Sequence, residues 1–193
     1  MNNIPDNYAR SRSAGRQSGV GIIEVLIALV VVSLGVLGMA SLQLTGMKHS
    51  SSGYNRSMAV LFAENMASRM RSNAEGVKDQ VYAGLSTTDL NCAAAPPAPF
   101  CQATVNSAAE ICTPAEMAEF DFYSIACGTI TADGTPKDGV TDLLNGGSLQ
   151  IQCDDATCEE NSGYTITINW NEGRTTTKDE QVDSKRVQVR FNP

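Results

Sequence analysis

One segment limits what this chain can become. From Val25 to Met47 there are twenty-three residues with neither a charge nor a proline, bounded by Glu24 and Lys48. As a helix rising 1.5 Å per residue the stretch reaches about 35 Å, enough to cross a hydrocarbon core of roughly 30 Å. Val25, Ile27, Val30, Val31, Val32 and Val36 are β-branched and by propensity favour a strand. Lipid reverses that preference, because a lone strand leaves its backbone N–H and C=O groups unpaired in hydrocarbon, whereas a helix satisfies them internally.

Charge gives the segment a direction. Residues 1–19 carry Arg10, Arg12 and Arg16 against Asp6, a net +2 that leaves −9 for the rest of a chain whose total is −7. The arginines hold the first nineteen residues on the cytoplasmic side, and everything after Lys48 is sent outward. An acidic remainder argues against nucleic acid or anionic lipid as the main partner of the outer part. Inner-membrane lipid around the span is the expected contact.

Glu24 is the residue that a simple anchor does not explain. A carboxylate at the edge of an apolar helix is costly and is retained where it acquires a partner. If the chain is cut after Gly19, a positive α-amine appears at Val20, four residues from Glu24 and at the same helix end. That amine reaches either its own Glu24 or the glutamate of a neighbouring copy. Two simpler readings compete: an uncleaved anchor, and a secretory peptide cut at the small-x-small site Gly38-Met39-Ala40.

The run from Arg16 through Gly19, Val20, Gly21 and Glu24 to Leu29 resembles the class III signal of type IV prepilins and type II secretion pseudopilins. It shares the basic leader, the glycine before the cut, a glutamate as fifth mature residue and a long apolar helix. Valine stands where such families usually place phenylalanine. The resemblance implies cleavage between Gly19 and Val20 by a prepilin peptidase, N-methylation of Val20, and charge pairing of Glu24 during subunit assembly. It also implies a type IV pilin-like α+β fold: a long N-terminal helix, half membrane anchor and half amphipathic, packed on a C-terminal antiparallel sheet. The parts are then a leader at 1–19, a membrane and fibre-core half at 20–47, an amphipathic half at 48–73 and a headgroup at 74–193.

Arg69-Met70-Arg71-Ser72-Asn73, the chain length and the glycine-rich span resemble the PilV-type minor pilins, also called type IV pilus modification proteins. That likeness implies other minor and major pilins as partners, a tip adhesin, a place at or near the pilus tip, and a role in priming assembly, attachment and twitching. The headgroup would lie in the periplasm before assembly and on the fibre afterwards. A type II secretion pseudopilin is the alternative of the same class.

Residue patterns sketch the rest. Tyr54, Met58, Leu61, Phe62, Met66 and Met70 recur at helical spacing and mark an apolar face. Gly35 and Gly38 are where the helix is weakest, while Gly35, Gly38, Ala40, Ser41 and Gly46 permit close helix approach. Thr113-Pro114-Ala115-Glu116 predicts a helix start, with the helix continuing to about Ala126 and burying Met117, Phe120 and Ile125. Alternation at Tyr164, Ile166, Ile168 and Trp170, and at Val187, Val189 and Phe191, predicts two strands, with Ser148–Cys153 a third.

Six cysteines (Cys92, Cys101, Cys112, Cys127, Cys153 and Cys158) lie beyond residue 90. An even number in the exported part points to disulfides, with fifteen possible pairings. Cys153 with Cys158 is the preferred pair, across a short loop. Zinc is disfavoured because no C-x-x-C pair occurs and the single histidine, His49, lies far off. No cofactor is expected. Asp133, Asp138, Asp142, Asp154, Asp155, Glu159 and Glu160 are candidate calcium ligands in a third reading, a tethered ligand-binding or adhesive module, although they fit no EF-hand spacing. No Walker loop, H-E-x-x-H or G-x-S-x-G is present, so an enzyme is not expected.

Overall fold

The computed structural model describes residues 19–103, 108–131, 134–172 and 183–193. Arg10, Arg12 and Arg16 of the leader, and Asp133 of the candidate calcium ligands, lie outside the described residues. The chain divides into two compact units, Met1–Met47 and Lys48–Pro193.

The first helix, α1, runs Ile22–Ser72. It passes through Gly35 and Gly38 without melting, since those residues lie deep inside a long hydrogen-bonded ladder. In the first unit every described residue is exposed. Ser33 Oγ donates to the Leu29 carbonyl at 2.6 Å and Thr45 Oγ1 to the Ser41 carbonyl at 3.0 Å. These two hydroxyls thus find partners one turn back on the apolar helix.

In the second unit the rest of α1 contributes to the core. Ala59, Ala63, Met66, Ala67 and Met70 are buried, with Met58 and Phe62 packed against them. These positions advance by three and four, the spacing of one helix face. The expected face is therefore corrected at two places: Tyr54 and Leu61 are 59% and 61% exposed. Alanines spaced four apart, Ala59, Ala63 and Ala67, hold fully buried positions on that face instead.

Three further helices follow: α2 (Ala74–Lys78), α3 (Pro114–Ala126) and α4 (Val140–Leu143), with a 3₁₀ turn at Thr87–Asp89. α3 starts with a complete capping box. Thr113 Oγ1 accepts from the Glu116 N–H at 3.3 Å, and Glu116 Oε2 accepts from the Thr113 N–H at 2.8 Å. The helix buries Ala118, Asp121, Phe122 and Tyr123 in addition to Phe120 and Ile125, and leaves Met117 only half-buried.

Two sheets complete the unit. β1 (Gly128–Ile130) and β2 (Pro136–Asp138) form a small antiparallel pair. The larger sheet has the order β3 (Ser148–Cys153), β4 (Tyr164–Glu172), β5 (Asp183–Phe191), all antiparallel. Along central β4 the inward residues Tyr164, Ile166, Ile168 and Trp170 are buried and share one apolar cluster with α1 and α3. On β5 Phe191 is buried, whereas Val187 and Val189 are half-buried. The architecture is α+β, a long N-terminal helix followed by a C-terminal antiparallel sheet.

The three disulfides are Cys92–Cys127, Cys101–Cys112 and Cys153–Cys158, with Cα separations of 5.3, 5.7 and 5.5 Å. Such spacings allow bridging without backbone movement. The first ties the loop after the 3₁₀ turn to the end of α3.

Candidate assembly surface

Gly19 and Val20 lie exposed ahead of α1, and Gly21 opens it: its carbonyl accepts from the N–H of Glu24 at 2.9 Å and of Val25 at 3.3 Å. Glu24 therefore stands in the first turn. The free N–H groups and positive dipole end of a helix favour an anion there, typically by about 0.3–1 kcal/mol. Among the described residues Glu24 makes no ion pair. In the unprocessed chain Val20 is an ordinary amide, so the α-amine that the sequence argument requires does not yet exist.

Beyond Glu24 the helix is a continuous apolar surface. Val20, Ile22, Ile23, Val25, Leu26, Ile27, Leu29, Val30, Val31, Val32, Leu34, Val36, Leu37, Met39, Leu42, Leu44 and Met47 are all exposed, the least of them at 48%. A Cβ added at Gly35, Gly38 or Gly46 meets nothing within 4 Å. Among the described residues nothing demands glycine at those positions, which leaves three shallow places where another helix can come close.

The cysteines belong to the second unit and act there as cross-links. The acidic residues proposed as calcium ligands do not converge: among the described residues no group of three acidic, histidine or cysteine side chains is placed to hold a metal ion. Asp142 Oδ2 accepts from the Asp138 N–H at 3.1 Å, Asp154 pairs with Thr165 and Arg190, and Glu160 with Lys78 at 3.1 Å. Local partners on separate elements account for the carboxylates of Asp142, Asp154 and Glu160.

Sequence reasoning missed a buried polar network at the end of α1. Asp121, 4% exposed on α3, accepts from Arg69 Nη1 at 2.8 Å and from Tyr82 Oη at 3.1 Å. Asn73 Nδ2 donates to Tyr82 Oη at 3.0 Å and to the Pro114 carbonyl at 2.8 Å, while Asn73 Oδ1 accepts from the Gly76 N–H at 3.3 Å. Burial pushes the Tyr82 phenol well above its ordinary range; the hydrogen bond from Asn73 opposes this and the Asp121 carboxylate adds to it. Arg69-Met70-Arg71-Ser72-Asn73 thus joins α1, Tyr82 and α3, and Arg71 lies 5.3 Å from the Phe191 ring centroid. The available signal was Asp121 itself, a carboxylate on α3 at a position where the helical spacing of Ala118, Phe122 and Ile125 demands an apolar residue.

Residues 41–123 match the family model described as Tt1218-like, type IV pilin Tt1218. The match supports a type IV pilin. It covers part of α1, the whole of the polar network and most of α3, and it leaves the antiparallel sheet outside. No curated protein and no solved structure matches the chain.

Proposed function

We propose that this chain is a minor pilin of a type IV pilus, of the PilV type: a structural subunit, not an enzyme, that helps prime fibre assembly and supports attachment and twitching. The observation that carries the reading is an apolar helix of which no described residue through Met47 is buried by its own chain, with one carboxylate in its first turn. A surface of that kind requires cover from lipid or from other helices.

A prepilin peptidase removes residues 1–19, freeing the α-amine of Val20, which is then N-methylated and remains cationic. In the inner membrane, residues 20–47 form the span, residues 48–73 the amphipathic continuation, and residues 74–193 the periplasmic headgroup. On assembly the Val20 ammonium of one pilin meets the Glu24 carboxylate of its neighbour. In a medium of low dielectric an unpaired carboxylate is heavily penalised, so the pair both offsets desolvation and selects one axial register.

Intact mass and N-terminal sequencing of the protein from cells with and without prepilin peptidase test this. The expected product starts at methylated Val20 only when the peptidase is present. A start at Ser41, or an intact Met1 in both strains, overturns it. Glu24→Gln is expected to be processed yet to enter fibres poorly; normal incorporation removes the charge-pairing step.

A further inference from the structure

The two edges of the large sheet are treated differently. Along β3 the outer edge is closed by the chain itself. The Gly84 N–H donates to the Ile151 carbonyl at 3.0 Å, the Ile151 N–H to the Leu85 carbonyl at 2.9 Å, and the Leu149 N–H to Thr87 Oγ1 at 3.1 Å, with a further bridge between Ser86 and Gln150. Along β5, nine residues pair with β4 on one side, and among the described residues no backbone hydrogen bond leaves the other side. This is a long open edge of the kind that accepts an added strand.

Its side chains define what fits. Ser184, Arg186, Gln188 and Arg190 form the exposed row. On the opposite row Val187 and Val189 stay half-buried while their β4 neighbours Ile168 and Ile166 are fully covered. β5 bears three cations against one anion inside a strongly acidic chain. Lys185 is paired with Asp183, and Arg190 has only a 3.9 Å contact with Asp154; Arg186 has no partner among the described residues. A second copy of β5 would bring the same cations and is disfavoured. A strand with acidic side chains on one row and apolar ones on the other meets both surfaces.

We propose that β5 is a docking edge for an extended segment of a different protein, one that alternates acidic and apolar residues and pairs by main-chain hydrogen bonds. Its acidic row would face Arg186 and Arg190, and its apolar row would extend the cover over Val187 and Val189. The proposal does not depend on the assembly reading, because neither leader removal nor Glu24 enters it.

The test uses the full chain in detergent micelles and a fluorescein-labelled peptide of alternating valine and glutamate, followed by anisotropy, with amide exchange read at β5. Saturable binding that slows exchange at β5 is expected. A valine–lysine peptide should bind at least about tenfold more weakly, the scale of two cross-strand charge pairs. Arg186→Glu with Arg190→Glu, both on the exposed row, should reverse that preference, and methylation of every peptide nitrogen should abolish binding. No binding, equal binding of the two peptides, binding that survives N-methylation, or protection that maps away from β5 each overturns the proposal.

Discussion

Arg69→Met separates two accounts of the polar network, one in which each hydrogen bond adds its own increment and one in which the group left behind sets the cost. The Asp121 side chain is 5% exposed and that of Arg69 30%. Removing the arginine strands a carboxylate that cannot reach water, a loss of about 3–5 kcal/mol for a buried pair with no other donor. Tyr82 still donates to Asp121, which brings the expected cost to about 2–4 kcal/mol. In Asp121→Leu the surviving Arg69 rehydrates through its exposed side, and the stranded group is the Tyr82 hydroxyl, a cost of about 1–3 kcal/mol. With both replaced, no buried charge remains, and the double variant should be no less stable than Arg69→Met alone. The assay is urea unfolding of the full chain in micelles with disulfides intact, followed by the fluorescence of buried Trp170. A thermal midpoint should fall by roughly 2–4 °C per kcal/mol for a chain of this size. Additive costs in the double variant, or Arg69→Met within about 1 kcal/mol of the parent, would refute the argument.

Four further outcomes can be measured on the same preparation. Gly139→Ala places a Cβ 2.3 Å from the Cys127 carbonyl carbon and 2.5 Å from the Ala126 carbonyl oxygen, so backbone must shift; a loss of about 1–3 kcal/mol in urea unfolding is expected. Thr113→Ala should cost about 1 kcal/mol by removing the α3 cap. Hydrogen bonds from the Thr113 N–H and hydroxyl hold the Glu116 carboxyl below its usual 4.5, so its contribution is present above that pH and lost as pH falls through the lowered value. In Glu116→Gln, melting curves taken through that window should lose this part of the acid sensitivity. Replacing Cys92 and Cys127 by alanine opens a loop with sequence separation 35, against 11 for Cys101 and Cys112. The chain-entropy relation gives losses of about 3.8 and about 2.8 kcal/mol, so the first double variant should melt lower.

Legibility followed the range of the forces involved. Helix α3 was readable because Thr113, Pro114 and Glu116 act within one turn, and β4 because alternation is imposed by a single buried face. The long helix was readable because lipid admits few alternatives. The helix face in the second unit was only half readable: Tyr54 and Leu61 satisfy the apolar pattern, yet Ala59, Ala63 and Ala67 hold the buried positions. Tertiary placement decides which apolar positions are covered, and hydrophobicity alone does not report placement. Cys153 with Cys158, closed across a short loop, was readable, whereas the other two disulfides and the Asp121 network were out of reach for a related reason. Cys92 with Cys127 and Arg69 with Asp121 are distant in sequence, and their partners are selected by tertiary placement. The roles of Gly19, Val20 and Glu24 rest on motif and chemistry, since the amine that would engage Glu24 appears only after cleavage.

On the proposed reading, the apolar helix imposes a constraint on assembly energetics. Residues 20–47 are as apolar toward lipid as they would be toward neighbouring helices, so moving from membrane to fibre gains little from the hydrophobic effect. Ser33 and Thr45 already bond within their own helix and offer little intersubunit glue. What differs between the two environments is close packing, for which Gly35, Gly38 and Gly46 leave room, and the fate of Glu24. Near a membrane surface the carboxylate can reach water and headgroups. Within a bundle of helices that access is lost, and a cation delivered by a neighbour becomes its main compensation. A single charged group near the end of an otherwise apolar segment can therefore govern register out of proportion to its size, because few other terms change sign or magnitude on transfer.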